Sequence, residues 1–357
     1  MSNDQGIKEL AAGARAAMAD PARITIVGHD ANPRFELFHA ASSLCSQKVR
    51  TVLFEKQLPY RSNDMKILSS MGPDGVVPAE HYHPPYVRLR LIAGREVGRA
   101  FVSGYSGRTS VETEGFDPCT VPLLVDYEAG RVIADSQRIC CYLDAVSRDP
   151  VQLLPDDAEA RTAVMRQVSI VDRIPNGTLL YGFHPDADLR PDALKTVMET
   201  VYDYKIMALE TMIAANAGDA KLVAAYRAKI AKERGGKSVC HDATFQRVTR
   251  QHVANLLKEL DGTLGSAAGP KSGLDSGPYL AGASFSLGDV LWGVNLVRLA
   301  YLGLASMWDD LPDVARYVDA LVRRPSLRKE ALQATIDAMP PSRYMDALAG
   351  CGGTVSA

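Results

Sequence analysis

The stretch FELFHAASSLCSQKVRTVLFEKQ, residues 35–57, decides the fold. FELFHAA is an apolar run of strand length, SSL is a turn, and from Cys45 onward Val49, Val52 and Leu53 recur at helical spacing. After the break at Pro59, residues 58–67 read as a second strand. A strand, a helix and a strand in that order form a crossover unit whose two strands are expected to run parallel.

Downstream, VPLLVDYEAGRVIADS at 121–136 reads as a hairpin followed by Ser136 as the N-cap of a helix through QRICCYLDAV. Between the crossover and the hairpin lies an insertion, 69–118, punctuated by MGPDG, VVP, HPP, SGYSG and EGFDP. It far exceeds the typical connection of about 4–6 residues, and long insertions often cover sites. Within it YVRLRL, 86–91, reads as extended, so Arg88 and Arg90, two apart, should share a face. Residues 1–34 are Ala-rich and polar, with ITIV at 24–27 the one apolar cluster, and read as an N-terminal extension laid against the domain. The first domain, 35–149, is therefore expected to run β, α, β, insertion, β, β, α.

From residue 150 the strand signals stop. Helical periodicity occupies 158–174, 191–214, 219–234, 241–264, 286–303, 312–323 and 326–337, so a second domain over 150–346 should be all helical. Its clearest start is SLGD at 286–289, where Ser286 and Asp289 can cap each other's backbone, and Asp289 reads as a cap and not as an acid. Residues 265–278 read as a Gly- and Ser-rich surface loop and 347–357 as a frayed tail; no internal repeat is present.

The 357 residues are 46% hydrophobic and 23% charged, enough apolar side chain for two cores. Forty basic against 42 acidic residues leave a net charge of −2, which supplies no bulk attraction to nucleic acid or to anionic lipid. No run reaches the roughly 18 apolar residues that span a bilayer, and residues 1–20 lack an apolar signal core. A cytoplasmic protein with a small-molecule partner, no nucleic acid and no membrane is the expectation. The six cysteines form no CxxC pair, which argues against a zinc site and a disulfide framework. His81 and His83 form HxH, but no acid or cysteine joins them at ligand spacing, and no metal is expected.

The order of these elements, with Ser43 and Cys45 at the first strand-to-helix turn, resembles the cytosolic glutathione S-transferases. S-x-C-S-x-K-V-R at 43–50, Val121–Pro122, Asp135–Ser136 and S-x-x-D at 286–289 carry the match, over most of residues 35–340. The resemblance implies a thioredoxin-like α/β domain followed by an all-α domain, with glutathione as co-substrate. It makes Cys45 and Ser43 catalytic: a thiolate at a helix start meets unpaired N–H groups and the positive dipole end, and the Ser43 hydroxyl can donate to the same sulfur. It makes Val121–Pro122 a cis-proline turn that offers the Val121 backbone to the cysteinyl amide of glutathione. Asp135 and Ser136 would then meet the γ-glutamyl group, carboxylate to ammonium and helix N-terminus to carboxylate.

Within that superfamily the S-x-C-S-x-[KR]-x-R pattern looks like two groups. These are the zeta-class isomerases and the glutathione-dependent reductive dehalogenases of chlorinated hydroquinones, such as those of lindane degradation. FELFH, YVRLRL, SGYSGRTSVETEGFDP, ADSQRICCYL, LLYG at 179–182 and the tryptophan helix look like the second group, insertion included. That resemblance implies reductive removal of chloride from a chlorinated hydroquinone-type aromatic, a chlorohydroquinone or a chlorogentisate. It further implies a homodimer, and an aromatic pocket to which Tyr181, Trp292, Arg298 and Arg88 are candidates. The alternatives left open are a zeta-like cis–trans isomerase, which consumes no glutathione, and a non-catalytic binder of aromatics, which needs no nucleophile at position 45.

Overall fold

The computed structural model describes residues 3–147, 149–267 and 279–350. The chain divides into two compact units, one of Met1–Ser46, Leu58–Ile139 and Thr196–Cys240, the other of Gln47–Gln57, Cys140–Lys195 and His241–Ala357.

In chain order the elements are α1 (Asn3–Ala16), β1 (Ile24–Val27), β2 (Phe35–His39), α2 (Leu44–Glu55), β3 (Tyr60–Asp64), β4 (Ser70–Gly72), β5 (Gly75–Val77), α3 (Pro84–Val97), α4 (Val111–Glu114), β6 (Leu123–Asp126), β7 (Arg131–Ala134) and α5 (Ser136–Val146). Then follow α6 (Ala158–Val171), α7 (Asn176–Tyr181), α8 (Asp192–Ala215), α9 (Ala220–Val239), α10 (Ala243–Ala267), α11 (Leu287–Tyr301), α12 (Pro312–Arg323), α13 (Pro325–Leu327), α14 (Ala334–Ala338) and α15 (Arg343–Gly350). A π-helical turn, Arg328–Gln333, joins α13 to α14. Helices α2, α5 and α8 contribute residues to both units.

The first unit is built on a five-stranded sheet in the order β1–β3–β2–β6–β7. β2 and β3 run parallel, as the crossover requires, and the remaining pairs are antiparallel. Every residue of β2 and of β6 is buried, as expected of central strands covered on both faces. This is the thioredoxin-like α/β domain, and the named elements after α5 are all helical.

Within the extension, α1 joins the core of this unit and β1 joins its sheet. Ile7, Ala11, Ala14 and Met18, at helical spacing, are buried in one cluster with Phe38, Leu89, Ala93, Leu123 and Val125, and β1 pairs antiparallel with β3. Glu36 lies fully buried in central strand β2; Arg15 of α1 donates to both its carboxylate oxygens at 2.7 Å, Asn63 donates at 2.8 Å, and the Tyr127 hydroxyl donates as well.

The expectation of an extended segment at 86–91 is overturned: it lies inside α3. Pro84 and Pro85 occupy the first helical positions, where the missing N–H costs nothing, and Gly98 closes the helix in the left-handed region at φ 67°. Residues two apart on a helix face different ways. Arg88 is exposed and paired with Asp219 at 3.0 Å, whereas Arg90 is turned inward, 3% exposed.

Residues of α8 and α9 complete the first unit, where Leu209, Leu222, Tyr226 and Ile230 pack with Tyr82, Val87 and Cys119. Beside this core Lys229 bridges Asp117 (2.7 Å) and Glu233 (2.9 Å), and Lys205 also reaches Glu233 (3.2 Å). Burial alone would raise Glu233, but Lys205 and Lys229 bring it down to about 2. Burial likewise opposes ionisation of Asp117, yet Lys229 and Lys232 hold it well below the usual carboxylate range.

In the second unit α11 is buried on every side along its length. Its capping box forms as expected: the Asp289 carboxylate accepts from the Ser286 N–H (2.8 Å) and hydroxyl (2.6 Å), and also from the Leu280 N–H (2.9 Å) and the Tyr317 hydroxyl (2.7 Å). Helix α10 reaches Ala267, so 265–267 of the expected loop are helical, and 268–278 lie outside the described residues. Residues 347–350 belong to α15 and are not tail; 351–357 lie outside the described residues.

Candidate active site

Strand register gathers three loops at one end of the sheet. Phe38 of β2 pairs with Leu123 of β6, and Leu123 pairs with Ala134 of β7. At that end β2 runs into the turn carrying Ser43 and Cys45, β6 starts just after Val121–Pro122, and β7 stops just before Asp135–Ser136. Ala40 and Val121 lie in the same buried cluster, consistent with this convergence.

The Ser43 hydroxyl accepts the Ser46 N–H at 3.4 Å at the head of α2, and Ser46 Oγ in turn accepts the Ala40 N–H at 3.2 Å, tying the helix start back to the end of β2. A hydroxyl that accepts through a lone pair keeps its proton for donation. Cys45, the second residue of the helix, is partly exposed between buried Leu44 and buried Ser46. The N–H groups and dipole of the first turn favour its thiolate.

The Val121–Pro122 bond is cis. Asp135 sits at φ 77°, a left-handed conformation that costs a non-glycine residue about 1–3 kcal/mol and that tends to persist at functional sites. Its carboxylate accepts the Arg138 N–H at 3.2 Å, its carbonyl accepts the Ile139 N–H at 2.9 Å, and Ser136, 6% exposed, opens α5.

Two basic residues of the Ser–Cys motif, given no role by sequence reasoning, form buried ion pairs in the second unit. Lys48 meets Asp172 at 3.0 Å and Arg50 meets Glu330 at 2.8 Å. Further along, Lys56 meets Asp144 at 2.9 Å and Arg324 meets Glu55 at 2.7 Å. Successive turns of α2 beyond Ser46 are thereby tied to the rest of the second unit.

Of the candidate pocket residues, Arg88 belongs to the first unit with the six residues above, and Tyr181, Trp292 and Arg298 belong to the second. Tyr181 ends α7 and is half-buried, Arg298 is buried in α11, and Trp292 is fully enclosed with its indole N–H donating to Gln167 at 3.2 Å. His81 is buried in a 3₁₀ turn, where burial pushes its imidazole down to about 3 and keeps it neutral. Among the described residues no group of three His, Cys, Asp or Glu side chains could hold a metal ion. Sequence reasoning placed Arg90 on one face with Arg88 but not its contacts: it donates to the carbonyls of Pro122 (2.9 Å) and Asp117 (2.6 Å) on either side of Val121, and that an arginine is buried is not visible in its spacing.

A thioredoxin-like sheet with a cysteine at the start of α2, a cis-proline turn and an Asp–Ser helix start defines a class, and the chain belongs to it, the glutathione S-transferase superfamily, whose members use glutathione as co-substrate. Residues 42–146 match the family model of the glutathione S-transferase N-terminal domain. A 2,5-dichlorohydroquinone reductive dechlorinase of Sphingobium indicum is 40% identical over 304 residues, covering 84% of this chain and 83% of that protein. The human ganglioside-induced differentiation-associated protein 1-like 1 is 24% identical over 303 residues, 82% of this chain and 72% of that protein. Among solved structures the β-etherase LigF of Sphingobium sp. strain SYK-6 shares the fold, with a TM-score of 0.51 at 16% identity, over 83% of this chain and 98% of that one. Among the described residues no helix is long and apolar enough to cross a membrane.

Proposed function

We propose that the protein is a glutathione-dependent reductive dehalogenase of a chlorinated hydroquinone-type aromatic. The observation that carries this reading is the 40% identity to the dichlorohydroquinone dechlorinase across 84% of the chain. The three loops converging at one end of the sheet support the reading.

Asp135 and the N-terminus of α5 hold the γ-glutamyl group of glutathione, the Val121 backbone holds its cysteinyl amide, and Ser43 donates to its sulfur. That thiolate displaces chloride from the tautomerised ring: a carbon–sulfur bond forms, the carbon–chlorine bond breaks, and chloride leaves with its electron pair. The Cys45 thiolate then attacks the glutathione sulfur. A disulfide forms, the carbon–sulfur bond breaks, and the ring carbon keeps the pair and takes a proton. A second glutathione thiolate exchanges with the mixed disulfide, regenerating Cys45 and releasing glutathione disulfide. The balance is one aryl chloride and two glutathiones in, one dechlorinated aromatic, one glutathione disulfide and one hydrogen chloride out.

Tyr181, Trp292, Arg298 and Arg88 are proposed as pocket residues, and a cytoplasmic homodimer, with 35–149 as the glutathione domain and 150–346 as the substrate domain, as the working form. The test is a chloride-release assay with 2,5-dichlorohydroquinone and chlorogentisates, with glutathione disulfide measured in parallel. One disulfide per chloride supports the reading; turnover of a cis double bond with no glutathione consumed would replace it by isomerisation.

A further inference from the structure

We infer that Arg90 and Tyr86 of α3 are positioning residues for glutathione, acting through the cis-proline turn. This rests on the proposed reading that the Val121 backbone receives the cysteinyl amide.

Residues 117–122 form an irregular segment between α4 and β6, so their carbonyls have no ladder to join, and buried carbonyls need partners. Helix α3 provides them from one face. Tyr86 and Arg90, four apart, stack on the same side of the helix. The Tyr86 hydroxyl donates to the Thr120 carbonyl at 2.6 Å, and the Arg90 guanidinium donates to the Pro122 carbonyl at 2.9 Å and to the Asp117 carbonyl at 2.6 Å. Three carbonyls of a six-residue segment are thus held by two side chains, on both sides of Val121.

Each clamp is itself immobilised. Tyr86 is fully buried and Arg90 is 3% exposed, with its guanidinium over the Phe116 ring at 5.0 Å. Gly94, the next residue on that face, lets the helix approach so closely that a Cβ would come within 2.6 Å of the Phe116 ring. The start of the segment is fixed independently, because the Asp117 carboxylate accepts the Cys119 N–H at 2.9 Å and Lys229 at 2.7 Å. A guanidinium suits the task because its fork reaches two carbonyls at once, which a single ammonium at the end of a flexible stem does not.

If Arg90 and Tyr86 position the turn, their loss weakens glutathione binding and leaves the chemistry of bound substrate intact. Tyr86→Phe, Arg90→Lys and Arg90→Met are compared with Asp135→Ala by calorimetric titration with glutathione, and by steady-state kinetics with 2,5-dichlorohydroquinone. Tyr86→Phe, which removes one hydroxyl and conserves the fold, should weaken glutathione about three- to tenfold. Arg90→Met should weaken it about tenfold or more, with Arg90→Lys between, while kcat at saturating glutathione stays within about twofold. The proposal falls if Asp135→Ala weakens glutathione but Tyr86→Phe and Arg90→Met bind it like wild type, even with lowered unfolding midpoints; that pattern means the clamp serves stability alone. If Asp135→Ala also binds glutathione like wild type, the glutathione site itself is misplaced and the inference goes with it.

Discussion

Two Asp–Ser pairs at helix starts, Asp289 with Ser286 and Asp135 with Ser136, differ in their surroundings. At the head of α11, Asp289 is wholly buried and its carboxylate accepts four hydrogen bonds, two from Ser286 and one each from Leu280 and Tyr317. At the head of α5, Asp135 is only half-buried and is held in a left-handed backbone conformation. The first pair is finished chemistry, with every oxygen committed to the fold. In the second, Asp135 is held in a left-handed backbone conformation and is partly exposed, and Ser43 and Cys45 at the start of α2 are partly exposed as well. Residue type alone does not distinguish the two; depth of burial and backbone conformation do.

The largest effect expected from breaking the open side is that of Cys45→Ser. The serine variant should still release chloride, since that step uses the glutathione thiolate, but should accumulate the aryl glutathione conjugate and form no dechlorinated product. Mass spectrometry of the products decides it: free dechlorinated aromatic at the wild-type rate would show that Cys45 is not the second nucleophile.

On the closed side, Asp289→Ala strands four donors and should lower stability by about 3–5 kcal/mol in a denaturant titration. A loss below about 1 kcal/mol would mean that the network at α11 is not a cap in any energetic sense.

Acid should act on the closed regions in a defined window. The folded pKa of His81 is depressed to about 3 from 6.5, so its contribution is complete above pH 6.5 and is lost as pH falls toward 3, about 5 kcal/mol in all. His81→Gln should flatten the stability profile between pH 6.5 and 4; an unchanged slope would assign the acid lability to other groups.

Asp135→Gly sharpens the contrast most directly because it should separate stability from binding. Relief of the positive φ should raise the unfolding free energy by about 1 kcal/mol. Loss of the carboxylate should weaken glutathione by about 1.5–3 kcal/mol, or ten- to a hundredfold. The smallest effect is that of Ser43→Ala on stability, about 1 kcal/mol for a lost helix cap, read from the unfolding midpoint.

The fold's central unit was legible because its signals are local: an apolar strand, a turn and a helix period in residues 35–57, then a hairpin ending at Ser136. So was the cap at α11, whose two residues lie within one turn. Helix α3 was hidden because Arg88, Arg90 and Arg95 interrupt its apolar residues in a way that mimics alternation, and because the surrounding Gly and Pro suggested only loop. Pro84 and Pro85 were the signal that could have revealed it. Helix α1 escaped because its buried face uses two alanines, Ala11 and Ala14, which carry little hydrophobic contrast. The roles of Arg90, Lys48 and Arg50 depend on partners distant in sequence, and no local pattern encodes those.

The ion pair between Arg15 and Glu36 imposes an order on how the protein is made. Leaving a buried carboxylate without its counter-charge costs about 3–5 kcal/mol, a large part of a domain's net stability. During synthesis Arg15 leaves the ribosome before Glu36, and β1 before the β3 strand it pairs with. At about 5–20 residues per second the cation waits for its anion for seconds at most, so the central strand never has to close around an unpaired charge.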